Sequence, residues 1–232
     1  GLAESGLLCQ CEASFKQGTR FTAWARPDAG SRYVHPFSLP AEYATLNLAE
    51  HWLATDGTTP FADFVTPQAA VIEAGLAPKQ AATPEYAFNV NYGYHFDAGK
   101  FAKLLHQHAV GRLGVRYVSG NLRQVETRAD GDIAAIMLDT GDRLAGDLFV
   151  DCTGQRALLI GRYPDAGFVP VKDVLFNDAA IAVQVPYADP NQALPSVTCA
   201  TAVSSGWIWD IGLQTRRGVG HVYSSAHASE EQ

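Results

Sequence analysis

The stretch Asp147-Leu148-Phe149-Val150-Asp151-Cys152-Thr153-Gly154 decides the fold. It is an almost wholly apolar run closed by Thr-Gly, the pattern of a parallel strand covered on both faces. A glycine just past the C-terminal end of such a strand lets a ligand backbone or phosphate approach closely. Immediately upstream lie three short segments, 122–128, 133–138 and 143–145, joined at Asp130-Gly131-Asp132 and Thr140-Gly141-Asp142. Asp/Gly junctions of this kind form hairpin turns, so the three segments are expected to make an antiparallel meander. Before them, Asp97 is placed to cap a helix in which Phe101, Leu104, Leu105, His108, Ala109 and Arg112 recur at helical spacing, with Gly114 ending it. Val115-Arg116-Tyr117-Val118 reads as a strand tightly linked to that helix.

Downstream, alternation returns in 180–186 and 197–203, and then in Gly206-Trp207-Ile208-Trp209-Asp210-Ile211-Gly212. Two tryptophans one residue apart on a strand project to the same face. Arg216-Arg217-Gly218-Val219-Gly220 reads as a tight turn into a further strand, 219–225. These segments predict a second, antiparallel sheet. A bare W-x-W is ordinarily core, and its meaning depends on what else the chain carries. At the other end, Ser14-Phe15-Lys16 and Arg20-Phe21-Thr22-Ala23-Trp24 read as strand with a lysine among aromatics. Such a lysine is ordinarily a solvated edge residue, but an apolar pocket would turn its ammonium into a hydrogen-bond donor or its amine into a nucleophile. Tyr33-Val34-His35-Pro36-Phe37 is a loop of the kind that carries binding groups. The spacing of Leu46, Leu48, Trp52 and Leu53 predicts a helix over 41–56, and prolines at 60, 67, 78 and 84 break the following segment into short helical pieces.

Composition excludes several classes. The 232 residues are 47% hydrophobic and 18% charged, with a formal charge of −7. That balance supports a sizeable core and argues against nucleic-acid or polybasic membrane partners. No apolar run reaches the roughly 18 residues of a membrane span. Cys9, Cys11, Cys152 and Cys199 lack metal-like pairing, and reduced buried thiols in a cytoplasmic protein are expected. No G-x-G-x-x-G, P-loop, H-E-x-x-H or nucleophile elbow is present, so no metal site is expected. The Gly-Leu-Ala-Glu start reads as an interior cut.

The order helix, strand, meander, buried strand, Thr-Gly turn resembles flavoproteins of the glutathione-reductase type. The expected class is therefore α/β: a partial glutathione-reductase-like FAD-binding fold with its meander, plus a second antiparallel sheet on the substrate side. Residues 91–167 would belong to the FAD-binding part, and about 1–90 and 168–232 to the substrate side, of one interrupted core. More specifically, Ala13-Ser14-Phe15-Lys16 with Arg20-Phe21 and Trp24, then Tyr33-Val34-His35-Pro36-Phe37 and Tyr94-His95-Phe96-Asp97-Ala98, fall in a distinctive order. With 147–160 and the Trp207/Trp209 hairpin, they resemble the flavin-dependent tryptophan halogenases over essentially the whole chain.

That resemblance implies FAD as cofactor, reduced by a flavin reductase and delivered by diffusion, with dioxygen and a halide ion as co-substrates. Hypohalous acid made at the flavin would travel to Lys16, the catalytic residue, and then substitute a small aromatic such as tryptophan or indole. His35 and Phe37 match the family's substrate-stacking loop, and Leu122, Thr153 and Gly154 its cofactor contacts. Trp207 and Trp209 match the partition between flavin and substrate. A homodimer is the implied assembly. Three departures stand out: the FAD glycine fingerprint and the family's partner glutamate are not in this chain, and Gly212 stands where the W-x-W-x-I-P pattern has proline. Taken alone, the chain is expected to be a fragment. The competing readings are a flavin monooxygenase-like oxidoreductase in which Lys16 is structural, and a non-catalytic remnant that binds an aromatic ligand.

Overall fold

The computed structural model describes residues 1–28, 30–163 and 165–229. Three sheets organise it. A short helix α1 (Glu4–Gln10) precedes β1 (Ser14–Lys16) and β2 (Gly18–Thr22), and β3 (Arg32–Pro36) returns against β2. Three short helices follow, α2 (Leu48–Leu53), α3 (Phe61–Val65) and α4 (Gln68–Glu73). Then come β4 (Gly93–His95), the long helix α5 (Ala98–Leu113), the strands β5 (Leu122–Thr127), β6 (Ile133–Leu138) and β7 (Arg143–Ala145), and β8 (Ala179–Pro186). The strands β9 (Thr198–Val203), β10 (Gly206–Gly212) and β11 (Arg216–Tyr223) complete the chain.

The expected meander is present as β5-β6-β7, and α5 begins and ends as read: the Asp97 side chain accepts from the Lys100 amide, and Gly114 closes the helix in the left-handed region. Of the stripe assigned to the inner face of α5, Leu104 is buried and packs with Leu7 and Cys11, whereas Leu105 and Arg112 are exposed. The second sheet has six strands in the order β3-β2-β9-β10-β11-β8. It is antiparallel except where β2 runs parallel to β9.

Several expectations are corrected. Residues 115–118 and 147–154 form no strand, and Leu148 and Val150 are 84% and 75% exposed. A uniformly apolar strand needs ladder partners on both sides, and no described strand pairs with either segment. Helix 41–56 shrinks to Leu48–Leu53, capped by the Asn47 side chain, with Leu46 and Leu53 exposed. The segment Arg216–Gly220 is not a turn but the first part of β11; the reversal occurs at 213–215. All four thiols are free, but Cys9 and Cys152 are exposed rather than buried.

Candidate active site

The site is built where the small β1–β4 ribbon leans on the ends of the six-stranded sheet. In the ribbon Ser14 pairs with His95, Phe15 with Tyr94 and Lys16 with Gly93. Alternation gives it two unlike faces. Phe15 and Tyr94 point to one side, where Phe15 also meets Tyr92 edge-on at 5.1 Å between centroids. Behind them the buried Glu4 carboxylate accepts from the hydroxyls of Tyr92 and Tyr94, the Tyr86 amide and, at 2.7 Å, the Lys79 ammonium. Burial pushes the Glu4 pKa up, but these donors outweigh it and bring the pKa down to about 2. This cluster ties α1 to the 79–94 segment.

The other face carries Ser14, Lys16 and His95. The Ser14 hydroxyl donates to the Gly212 carbonyl at 2.6 Å, at the end of β10. His95 Nε2 lies 2.9 Å from the Thr198 hydroxyl at the start of β9. Lys16 is half-buried, and its Nζ stands 5.6 Å from the centroid of the Phe37 ring, within cation–π reach. Burial lowers the Lys16 pKa. Glycine opposite Lys16 leaves that side of the ribbon open, and a Cβ on Gly93 would already touch the Phe37 ring at 3.6 Å. His95 is more strongly perturbed: burial and the nearby Lys16 charge lower its pKa to about 4.

Phe37 is held by a buried pair of glutamines. The Gln17 main-chain carbonyl accepts from the Phe37 amide at 2.9 Å, and its side-chain amide donates to the Leu76 carbonyl and the Ser196 hydroxyl. Gln68 accepts from the Ser38 amide at 2.6 Å and donates to the Asn91 carbonyl. Both glutamines are fully buried, so they fix the Phe37 loop through satisfied polar contacts rather than through apolar packing.

The register of the six-stranded sheet places an aromatic row on one face: Tyr33, Phe21, Ala200, Trp209, Gly220 and Ala182 lie side by side. Tyr33 stacks on Phe21 at 5.0 Å, and Trp24, Trp207 and Trp209 continue the surface at 6.2 and 6.0 Å. The row one step away contains His35, Thr19 and Thr198, so His35 and the Thr198 partner of His95 share this face. Trp209 lies flat across Gly220, where a Cβ would stand 2.0 Å from its Cζ2.

Among the sequence-derived site residues, Lys16, Phe37, His35, Trp207 and Trp209 therefore gather around the ribbon and this sheet face. Leu122 lies apart in β5, paired with Leu138, and Thr153 and Gly154 in an exposed turn. That turn is shaped by Asp151, whose carboxylate accepts from the Thr153 hydroxyl at 2.6 Å and from the Thr153, Leu159 and Ile160 amides. These donors, the Thr153 hydroxyl first, hold the Asp151 pKa below the usual carboxylate range. The sequence points to no site role for Gln17, Gln68 or Thr198; it places Gly220 in a turn, and His95 appears only inside the Tyr94-His95-Phe96-Asp97 motif. Among the described residues no His/Cys/Asp/Glu group could hold a metal, and no helix is long and apolar enough to cross a membrane.

A sheet face of stacked aromatics beside a half-buried lysine, on a chain with an FAD-type meander, has the architecture of the flavin-dependent halogenases. Residues 1–232 match the Tryptophan halogenase family, and the chain belongs to that family. It is 32% identical to tryptophan 7-halogenase RebH of Lentzea aerocolonigenes and 32% identical to tryptophan 6-halogenase ThaL of Streptomyces albogriseolus, in both cases over all of this chain and 46% of the relative. A tryptophan halogenase crystal structure from Shewanella frigidimarina NCIMB 400 superposes with a TM-score of 0.95 at 44% identity, covering all of this chain and 44% of that one. Tar14, a tryptophan C-6 flavin-dependent chlorinase from taromycin biosynthesis, gives 0.90 at 33% identity, over all of this chain and 47% of Tar14. The chain thus spans about half the length of the relatives it matches.

Proposed function

We propose that the protein halogenates tryptophan, indole or a related electron-rich aromatic with hypohalous acid, using FAD, and that Lys16 is the residue that holds the oxidant. The observation that carries this is the Lys16 position: a half-buried ammonium with a lowered pKa, against the Phe37 ring and beside the aromatic sheet face. Burial favours the neutral amine, so the same side chain can polarise HO–X through N–H donation or exchange a proton for X, releasing water. In either form the aromatic substrate then gains X and loses a proton.

The cofactor fits the residues present at one turn. Gly154 has a φ of +67, and nothing lies within 4 Å of where its Cβ would stand, so its open face can take a group close to the backbone. Leu122, Thr153 and Gly154 would hold FAD, which when bound and reduced supplies hypohalous acid from dioxygen and halide. His35 and Phe37 would clamp the substrate ring between imidazole and phenyl, as stacking aromatics do. Trp207 and Trp209 would wall the substrate off from the flavin while a small oxidant passes. A flavin reductase working through diffusible FAD, a cytoplasmic setting, a homodimer and the division into FAD-side residues 91–167 and substrate-side flanks belong to the same proposal.

The test uses the full-length protein with FAD, a flavin reductase, chloride or bromide, and tryptophan. Halide-dependent appearance of halogenated product is expected by mass spectrometry, with a loss of roughly 100-fold or more in Lys16→Ala. Oxygenated product without halide would favour a monooxygenase, and full activity in Lys16→Ala would remove that lysine from the mechanism.

A further inference from the structure

His95 is a buried titratable group, facing the lysine's side of the ribbon, for which the proposed chemistry has no task. It sits diagonally across the ribbon from Lys16 on the same face, since Ser14 pairs with His95 and Lys16 with Gly93. Only 5% of the residue is exposed. Nε2 is engaged by Thr198, while Nδ1 is buried with no hydrogen-bond partner among the described residues. A buried nitrogen without a partner calls for one, and His95 Nδ1 shares this with His221 Nε2 and Ser224 Oγ; His95 alone of the three lies beside Lys16.

We propose that His95 is a positioning residue for Lys16, with Nδ1 and the Lys16 nitrogen together holding the small hydroxylic molecule, water or hypohalous acid, that enters the lysine's pocket. The inference rests on the halogenase reading and deepens it. The chemistry of the two groups is complementary. An ammonium only donates, so it can bind the oxygen of HO–X but cannot accept its hydrogen. A neutral imidazole whose Nε2–H donates to the Thr198 hydroxyl presents Nδ1 as an acceptor for that hydrogen. Burial and the Lys16 charge keep the ring neutral at ordinary pH. The acidic groups nearest in sequence cannot offset this, because Asp97 is paired with Arg216 and Glu12 with Lys100 and Thr215.

Two substitutions separate this role from plain packing. In full-length protein, His95→Asn keeps an acceptor at the Nδ1 position but gives up Thr198, whereas His95→Gln keeps the Thr198 contact but offers no acceptor at Nδ1. The readout is halogenated product formed per reduced FAD consumed. His95→Gln is expected to lower that ratio ~10-fold or more, as loss of a hydrogen bond to a reacting group does, with His95→Asn clearly higher. A His95→Gln ratio equal to or above that of His95→Asn overturns the proposal. If either variant does not fold, Thr198→Val and Thr198→Ser replace it: Val should lower the ratio several-fold and Ser restore it, and an unchanged ratio in Thr198→Val overturns the proposal equally. Absence of halide-dependent product from the unaltered protein would instead sink the halogenase reading itself.

Discussion

Two regions with similar apolar content behave in opposite ways. Strands β9 to β11 lock together residue by residue; β10 pairs with β11 from Gly206 opposite Tyr223 to Gly212 opposite Arg217. The segment 147–150 is more continuously apolar, yet it makes no ladder and leaves Leu148 and Val150 in solvent. The difference lies in where each finds its partners. Alternating strands joined by short turns bring their own neighbours, so local sequence is enough to fix their register. A run without alternation has no face of its own and becomes a strand only between others. Trp207 and Trp209 belong to the first kind of region, the proposed cofactor turn to the second.

The most damaging way to probe the locked region is through its buried polar anchor. Gln17→Ala removes a fully buried amide and strands the Leu76 carbonyl, the Ser196 hydroxyl and part of Gln68. Loss of these bonds plus a cavity should cost ~4 kcal/mol in denaturant unfolding, while the Phe37 amide keeps its bond to the main-chain carbonyl of residue 17. A cost below ~1 kcal/mol would mean that the Leu76 and Ser196 groups find other partners when the amide is gone.

Acid probes the same region from the ionic side. Unfolded His95 takes a proton near 6.5, the folded residue only near 4, so the unfolded chain binds more protons between these values. Stability is therefore complete above pH 6.5 and declines by roughly 3 kcal/mol as pH falls through that window. Glu4 adds a second loss, from its ordinary 4.5 down to about 2, as its Tyr and Lys donors lose their acceptor. The measurement is the unfolding free energy against pH; His95→Gln should flatten the upper step and leave the lower one. A curve flat between pH 6.5 and 4 in the unaltered protein would contradict the buried, neutral imidazole.

These anchors explain what the sequence could and could not reveal. The meander, the Trp hairpin and the capped helix were legible because Asp-Gly junctions, period-two alternation and the Asp97 and Gly114 caps are local signals. Lys16 and the Trp pair stood out through aromatic context and family likeness. Gln17, Gln68 and His95 were not legible, because a buried polar residue gives no periodic signal and its partners lie up to 179 positions away. The helix over 41–56 is cut to 48–53 because Leu46 and Leu53, two of its four spaced apolar residues, stay exposed and give it no buried stripe. Gly218 and Gly220 were misread as a turn. They are strand residues, and at Gly220 the small size admits the Trp209 ring.

That last point gives a milder test of the sheet face. A methyl at Gly220 would stand 2.0 Å from Trp209 Cζ2, so Gly220→Ala must lift the indole. Overpacking of this kind costs about 2 kcal/mol, and the moved ring should shift the tryptophan fluorescence maximum. Unchanged fluorescence and stability would show that Trp209 does not lie on β11.

The smallest expected effect is the most informative about the contrast. Leu148→Ser replaces a leucine that is 84% exposed and takes no part in the meander pairing or the hydrogen bonds of the Asp151 collar. Surface changes of this sort stay within about 0.5 kcal/mol, so chemical denaturation of the 232-residue chain should hardly register it. In the full-length protein the same substitution acts as a gauge. If Leu148 there enters a covered strand, the substitution buries a serine hydroxyl and forfeits apolar burial, and the cost should rise to ~2–4 kcal/mol. Equal, small costs in both would mean that the segment is a loop in its own right and that the Thr153–Gly154 turn meets its ligand from solvent. A large cost already in the 232-residue chain would mean that 147–150 finds cover within it, and the contrast between the two regions would collapse.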